Sequence, residues 1–169
     1  MSPSPARPEE LARCIALAES RPTPPPAARL AWTAVVDIEP RETLGPGPHG
    51  ERFIVPILGG RFWGGPGFES LRGTVRPGGA DRQLLRPDGV KELHALYEMS
   101  TDDGTVLTID NRVLIDEAVQ PVRYAISRVS VQAPEGPYAW LNRRLFVGTL
   151  QTLRPEREAV VVRAYLMGA

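Results

Sequence analysis

From Leu30 to the end of the chain, short apolar runs rich in β-branched and aromatic residues follow one another with almost no helical pattern between them. The first, LAWTAVVDIE (30–39), is typical of a strand. Proline (18 residues) and glycine (16 residues) separate many of these runs. The predicted strands are residues 30–39, 51–58, 60–64, 70–76, 82–86, 91–99, 105–112, 122–132, 138–152 and 158–167. This succession predicts an all-β fold.

The number and spacing of these strands limit the architecture. Several short, evenly spaced strands are typical of a barrel or a sandwich. Polar side chains recur on faces that should point inward, a pattern that suits a small barrel with a partly polar cavity. We therefore predict a single antiparallel β-barrel of about 8–10 strands, closed or nearly closed. A β-sandwich with functional end loops is the alternative.

The first 28 residues have a different character. Leu11, Ile15 and Ala18 are at helical spacing, and acidic residues open the run, which predicts a short helix that ends near residue 20. The stretch RPTPPPAA (21–28) suits neither a helix nor a central strand and is interpreted as a spacer. The predicted division is thus 1–28 for the helix and spacer, with residues 1–6 disordered, and 29–169 for the barrel.

Composition excludes several partners and cofactors. Basic and acidic residues number 20 each, so no overall basic field favours nucleic acid or a membrane surface. One cysteine, Cys14, and two histidines, His49 and His94, offer little for a disulfide or a metal site, so we expect no metal and no cofactor. The N-terminus lacks a signal-peptide pattern and no run approaches the ~20 apolar residues of a membrane helix. A cytoplasmic protein is expected.

The segment RPGGADRQ (76–83) is the first candidate site. Paired glycines between strands permit a sharp turn in which the backbone could approach a ligand. Asp81 and Gln83 then share one face of the following strand, where Asp81 could act as a base and Gln83 could bind a ligand. The alternative is that Asp81 only stabilises the turn through backbone hydrogen bonds.

The segment YAWLNRR (138–144) is the second candidate. If it is a strand, Trp140 and Asn142 lie on one side, and an aromatic ring beside an amide can hold an organic ligand in one orientation. The alternative is a core tryptophan with Asn142 bonded to a loop.

Two further strands contribute candidates. In strand 91–99 the apolar face carries Tyr97, a possible acid, while His94 is on the other face with the charged residues. At the end of strand 105–112, Asn111 could bind a ligand, and Arg112 could clamp a carboxylate or phosphate. Arg112 could equally be half of a structural ion pair.

Several of these stretches together resemble a family known as domain of unknown function 3237, an uncharacterised bacterial and fungal group. The matching stretches are GERFIVPILGGRF (50–62), LRGTVRPGGADRQLLRPDGVKEL (71–93), TDDGT (101–105), NR (111–112) and YAWLNRRLFVGT (138–149). The resemblance implies one β-barrel domain with no assigned activity.

The chain departs from the family pattern at three positions. The resemblance leads us to expect an aromatic residue after GGAD, where this chain has Arg82. It also leads us to expect an acid and an arginine where the chain has His94 and Leu96. If those two family residues form a charged pair in the cavity, this chain has lost it.

Three functions fit the sequence. The first is an enzyme that moves protons on a small organic molecule without metal or nucleotide, with Asp81 as base, Tyr97 as acid, and Arg112 or Asn142 stabilising an enolate-like oxygen. The second is a non-catalytic small-molecule carrier or sensor of the lipocalin type. The third is an assembly module in which the N-terminal helix packs against a partner, for which a homodimer is one candidate.

Overall fold

The structure, a computed structural model, describes residues 8–168 and is built almost entirely from strands. The helix α1 (Pro8–Glu19) comes first, and a short 3₁₀ helix (Ala139–Arg143) lies between the last strands. The strands are β1 (Ala27–Ile38), β2 (Glu42–Gly47), β3 (Gly50–Gly64), β4 (Gly73–Val75), β5 (Ala80–Leu85), β6 (Lys91–Thr101), β7 (Val106–Asp116), β8 (Tyr124–Gln132), β9 (Phe146–Thr152) and β10 (Ala159–Gly168). The predicted disorder of residues 1–6 lies outside the described range.

All ten strands join one antiparallel sheet that closes on itself. Around the barrel the order is β1, β10, β9, β8, β7 and β6, then β4 and β5 in one shared position, then β3. Closure is made by the pairing of β3 with β1, from Trp32 opposite Gly64 to Ile38 opposite Ile57. The barrel therefore has eight strand positions, and β2 continues the edge of β1, pairing with the first part of β3. The predicted closed barrel is confirmed, and the sandwich alternative is wrong.

The strand boundaries differ from the prediction in three places. β3 is one strand where two were predicted, and Pro56 lies where β3 stops pairing with β2 and begins to pair with β1. β2 was not predicted, because its sequence ETLGPG carries too few β-forming residues. The predicted strand 138–152 is wrong over its first part, since residues 139–143 form the 3₁₀ helix.

One end of the barrel is filled by large side chains. Trp32 packs on Phe146 with ring centres 5.1 Å apart, and Phe62, Met99 and Leu107 are buried in the same cluster. The segment 65–72 and the 3₁₀ helix cover this end, tied together by a 3.1 Å hydrogen bond that the Tyr138 hydroxyl donates to the Ser70 carbonyl. This closed end leaves the opposite end of the lumen available for a cavity.

The N-terminal helix lies apart from the barrel. Every residue from Pro8 to Arg29 is exposed, including Leu11, Ile15 and Leu17 on α1. Among residues 8–168, no helix is long and apolar enough to cross a lipid bilayer.

Candidate functional site

The open end of the barrel leads into a cavity of about 440 Å³. Its mouth is surrounded by the connections that follow β1, β5, β7 and β9, because antiparallel strands bring these four strand ends to the same side. Most of the wall is aliphatic. The apolar lining residues are Val36, Ile38, Val55, Ile57, Leu93, Ala95, Val113, Ile115, Leu150, Val160 and Val162. A predominantly apolar concavity with a few polar groups is the usual form of a small-molecule site.

One group of polar lining residues lies on three adjacent strands, β5, β6 and β7. Asp81 on β5 is opposite Ala95 on β6, and Ala95 is in turn opposite Asn111 on β7. The small side chain of Ala95 leaves space between the carboxylate and the amide. Tyr97 is two residues deeper along β6 on the same inward face. The cavity therefore has a polar floor made by Asp81, Asn111 and Tyr97.

The Asp81 carboxylate is only half satisfied. Its Oδ2 accepts a 2.7 Å hydrogen bond from Nε2 of Gln83, which is nearer the mouth on the same strand face. Its Oδ1 is buried and has no hydrogen-bond partner in the described part of the chain, and the same holds for the Tyr97 hydroxyl and for Oδ1 of Asn111. Buried polar atoms are normally paired, so three unpaired atoms on one cavity floor indicate a place for a ligand or water.

Burial is the main cause of the pKa shifts of Asp81 and Tyr97 on this floor. It raises the pKa of Asp81 from its ordinary value of 3.8 to about 6, although the hydrogen bond from Gln83 and, to a smaller degree, the nearby backbone N–H and side chain of His94 oppose the change. Burial also raises the pKa of Tyr97 above its ordinary value of 10, so the phenol stays protonated at neutral pH. A carboxylate that exchanges its proton near neutrality therefore faces the same space as a phenol that keeps its proton.

The glycine pair before β5 fixes the position of Asp81. Gly78 has a φ of +105°, which favours glycine. A Cβ atom on Gly79 would lie 2.5 Å from Cβ of Tyr97 and 2.7 Å from the carbonyl oxygen of Leu96. The sequence predicted that this backbone approaches a ligand; in the structure it approaches β6, just before β5 brings Asp81 opposite Ala95.

Four basic side chains line the mouth of the cavity: Arg41, Lys91, Arg123 and Arg154. Glu117 accepts hydrogen bonds from Nζ of Lys91 at 3.1 Å and from Nη1 of Arg123 at 3.2 Å. The bond from Lys91 is the main cause that lowers the pKa of Glu117. We define these four residues as the basic mouth. None of the four is indicated by the sequence, because they lie at strand ends or in loops that only barrel closure brings together.

The structure separates Arg112 from the cavity. Since Asn111 faces the lumen, Arg112 faces the outer surface, where its Nε donates a 3.2 Å hydrogen bond to Asp110. His94 is also on this outer face, with its Nε2 3.2 Å from the same oxygen of Asp110. Arg112 thus forms a structural ion pair with Asp110, which was the alternative predicted for it.

Trp140 and Asn142 lie at the closed end of the barrel. Trp140 stacks on Phe68 with ring centres 5.8 Å apart and packs against Phe146. The Asn142 amide accepts a hydrogen bond from the Ala133 backbone N–H and donates one to the Ala133 carbonyl, each at 2.8 Å. Neither residue lines the cavity beside Asp81. The inward-facing strand predicted for them is wrong because the segment is a 3₁₀ helix.

A second, larger depression of about 910 Å³ lies on the outer wall across β5 to β9. Outward-facing side chains such as Leu84, Leu114 and Arg128 line it. Oγ of Ser127, also buried and unpaired in the described part of the chain, borders this depression. We place the candidate site in the lumen because three such groups, those of the Asp81 carboxylate, Tyr97 and Asn111, line one cavity there. Within residues 8–168, no group of three or more histidine, cysteine, aspartate or glutamate side chains is arranged to hold a metal ion.

Comparison with known proteins assigns the family. Residues 26–167 match the model of the family described as "Protein of unknown function (DUF3237)". The chain belongs to this family. The predicted resemblance is thereby confirmed, and the matched range contains all ten barrel strands except the last residue of β10.

Similar proteins with solved structures share the fold. A UPF0311 protein of Rhodopseudomonas palustris is 37% identical over 113 residues, which are 59% of this chain and 71% of that protein. Its crystal structure, described as a conserved protein of unknown function, superposes with a TM-score of 0.76 at 31% identity over 86% of this chain and all of that one. A β-barrel-like protein from Acinetobacter baumannii gives a TM-score of 0.74 at 26% identity, over 87% and 99% of the two chains.

A more distant neighbour is a Penicillium herquei protein described as an enzyme. It gives a TM-score of 0.67 at 22% identity, over 88% of this chain and 98% of that one. At this identity the likeness shows the fold alone.

The three departures from the family pattern do not alter the cavity. Arg82, His94 and Leu96 lie on the outer faces of β5 and β6, because their neighbours Asp81, Ala95 and Tyr97 line the lumen. A charged pair at positions 94 and 96 would therefore lie on the outer surface of the barrel. The condition of a charged pair inside the cavity is thus not met at these two positions of this chain.

Proposed function

We propose that this protein binds a small organic molecule in the barrel lumen and that Asp81 acts there as a general base in a proton-transfer reaction, such as isomerisation, hydration or elimination. The observation that supports this most is the buried, unpaired Oδ1 of Asp81 on the cavity floor. A free carboxylate oxygen in such a position can accept a proton from a bound molecule.

The ionisation of Asp81 suits this role. A general base works best when its pKa lies near the working pH, and burial raises the pKa of Asp81 to about 6. At neutral pH most of the Asp81 carboxylate is then ionised. It is still a stronger base than an ordinary aspartate, so it can hold a proton taken from the bound molecule. Gln83 keeps one oxygen in place and leaves the other to react.

Tyr97 and Asn111 supply the stabilising groups. Removing a proton next to a carbonyl places negative charge on the carbonyl oxygen, and a preorganised donor lowers the energy of that state. The protonated Tyr97 hydroxyl can donate to such an oxygen, and the Asn111 amide can orient the molecule. This assignment replaces Arg112 and Asn142, whose side chains bind Asp110 and the Ala133 backbone.

A non-catalytic carrier is the second candidate. The aliphatic residues that make up most of the wall favour it, because a carrier needs a roomy apolar cavity but no reactive group. The cytoplasmic location expected from the sequence stays a prediction.

Identification of the bound molecule is the first step of the test. Native mass spectrometry of protein taken directly from cells would detect any small molecule that co-purifies with it. That molecule is then incubated in deuterium oxide with the wild type, with Asp81→Asn, or with Asp110→Asn, which changes a carboxylate on the outer wall.

We expect the wild type and Asp110→Asn to exchange or convert the molecule. Asp81→Asn should still bind it but lose at least about 100-fold in rate, the usual scale of general-base catalysis. Binding without exchange by the wild type would favour the carrier. Equal rates for all three proteins would contradict a role for Asp81.

A further inference from the structure

The basic mouth carries more positive charge than its acidic neighbours balance. Glu117 is shared between Lys91 and Arg123, and Arg154 is paired with Glu158. Within the described part of the chain Arg41 forms no ion pair; its guanidinium lies over the Phe53 ring, 3.9 Å from the ring centre. Four cations thus share two ion-paired carboxylates at the edge of an aliphatic cavity, so not every cation has a carboxylate of its own.

Two of these cations are also partly withdrawn from water. The side chains of Lys91 and Arg123 are 35% and 33% exposed, and both line the cavity. Electrostatic attraction is stronger at a partly desolvated site with low-dielectric walls than on an open surface. Arginine in particular offers paired donors that match a carboxylate. The mouth is therefore suited to an anion, whereas the wall below it is suited to hydrocarbon.

The distance between the mouth and the floor sets the length of the molecule. Lys91 is at the mouth, and Ala95, four residues further along β6, is opposite Asp81. At about 3.3 Å per residue, four residues span about 13 Å. Since lysine and arginine side chains extend by several ångströms, a molecule about 7–12 Å long could contact the basic mouth and Asp81 together.

We infer that the molecule bound in the lumen is an organic acid whose carboxylate is held by Arg41, Lys91 and Arg123 and whose apolar body extends down to Asp81. This rests on the proposed function and names its substrate class. The separation also keeps two like charges apart, because the carboxylate of the ligand stays at the mouth while the Asp81 carboxylate lies on the floor. For Asp81 to remove a proton, such an acid must also carry a second carbonyl group at the end away from its carboxylate, beside the carbon that reaches Asp81.

Matched pairs of ligands test this inference. The probes are aryl and alkyl acids of six to ten carbons with their primary amides, for example naphthalene-2-carboxylate with naphthalene-2-carboxamide, and octanoate with octanamide. Each pair keeps its shape and loses only the charge. Binding is measured by isothermal titration calorimetry on the full chain at low and at high salt.

We expect at least one acid in the panel to bind about tenfold or more tightly than its amide. This preference should shrink as salt screens the charges. Arg123→Gln and Arg41→Gln should each reduce the affinity for the acid about tenfold and leave the affinity for the amide unchanged. Arg128→Gln, on the outward face of β8, which begins just after Arg123, is the matched control and should change neither affinity. Circular dichroism confirms that each variant is folded.

Two outcomes would overturn the inference. In the first, no acid of the panel binds better than its amide. In the second, the acids are preferred, but Arg41→Gln and Arg123→Gln leave that preference unchanged. The failure of the proposed function is distinguishable from these. If the acids bind at the mouth but Asp81→Asn changes no rate, the base assignment fails and the substrate class stands. If amides bind as well as acids and Asp81→Asn abolishes turnover, the substrate class fails and the base stands.

Discussion

Gln83 donates a 2.7 Å hydrogen bond from its side-chain amide to Oδ2 of Asp81, two residues earlier on the same inward face of β5. The bond fixes the carboxylate against the wall and leaves Oδ1 without a partner. Glutamine carries no charge, so it does not neutralise the carboxylate as an arginine or a lysine would. The buried charge therefore destabilises the folded state, and a bound molecule could reduce this destabilisation.

The first prediction concerns the stability of Asp81→Asn. The pKa of Asp81 in the folded protein, about 6, is above its ordinary value of 3.8, so the folded state binds this proton more tightly than the unfolded state. The wild type thus loses stability as pH rises from about 4 to about 6, and the full cost is present at pH 8. Asparagine removes the charge and can still accept the bond from Gln83.

Asp81→Asn should accordingly be more stable than the wild type at pH 8, on the order of 1–3 kcal/mol, and equally stable near pH 4. Urea unfolding at pH 4, 6 and 8 measures the difference. Asp110→Asn on the outer wall is the control and should show no such gain. A destabilised Asp81→Asn at pH 8 would instead make Asp81 a structural residue.

The second prediction concerns Asn142. Its amide makes two 2.8 Å hydrogen bonds to the backbone of Ala133 at the closed end. Asn142→Ala should cost about 1–2 kcal/mol in the free energy of unfolding. Ligand affinity in the lumen should not change, because the residue does not line the cavity. Arg143→Ala, one residue further along the 3₁₀ helix, is the control. Weaker ligand binding with unchanged stability in Asn142→Ala would restore the residue to the site.

The alternation of side chains made part of the site predictable. A strand directs residues two apart to the same side, so the sequence alone places Asp81 with Gln83, and Tyr97 with the apolar face of β6. The same rule separates Asn111 from Arg112, since adjacent residues on a strand cannot both face one lumen. Assigning both to a pocket was therefore an error that the sequence could have revealed.

Contacts between residues far apart in the sequence determine the parts of the site that side-chain alternation does not predict. Residues 138–144 have the aromatic and aliphatic content of a strand, yet the stacking of Trp140 on Phe68 accompanies a 3₁₀ helix there. Phe68 is 72 positions earlier in the chain, so no local pattern carries this contact. No local pattern predicts the basic mouth either, because its four residues come from separate strand ends and meet only when β3 pairs with β1.

The third prediction concerns the N-terminal helix. Every residue from Pro8 to Arg29 is exposed, and β1 begins only at Ala27. Removal of residues 1–24 should leave a cooperative unfolding transition, because no core contact is lost. If the exposed Leu11 and Ile15 contact a second copy, the mass in solution measured by light scattering should also fall. Loss of cooperative unfolding on removal would show that the helix is part of the barrel domain.

The most direct test of the account is the ionisation of Asp81, since a buried, half-satisfied carboxylate on the cavity floor is its central claim. Carbon-detected NMR can follow the side-chain carboxyl carbon of each aspartate from pH 3 to pH 9, and the signal absent from Asp81→Asn identifies the residue. The structure predicts a midpoint of about 6 for Asp81. A midpoint at or below about 4, the ordinary range of an aspartate in water, would contradict it.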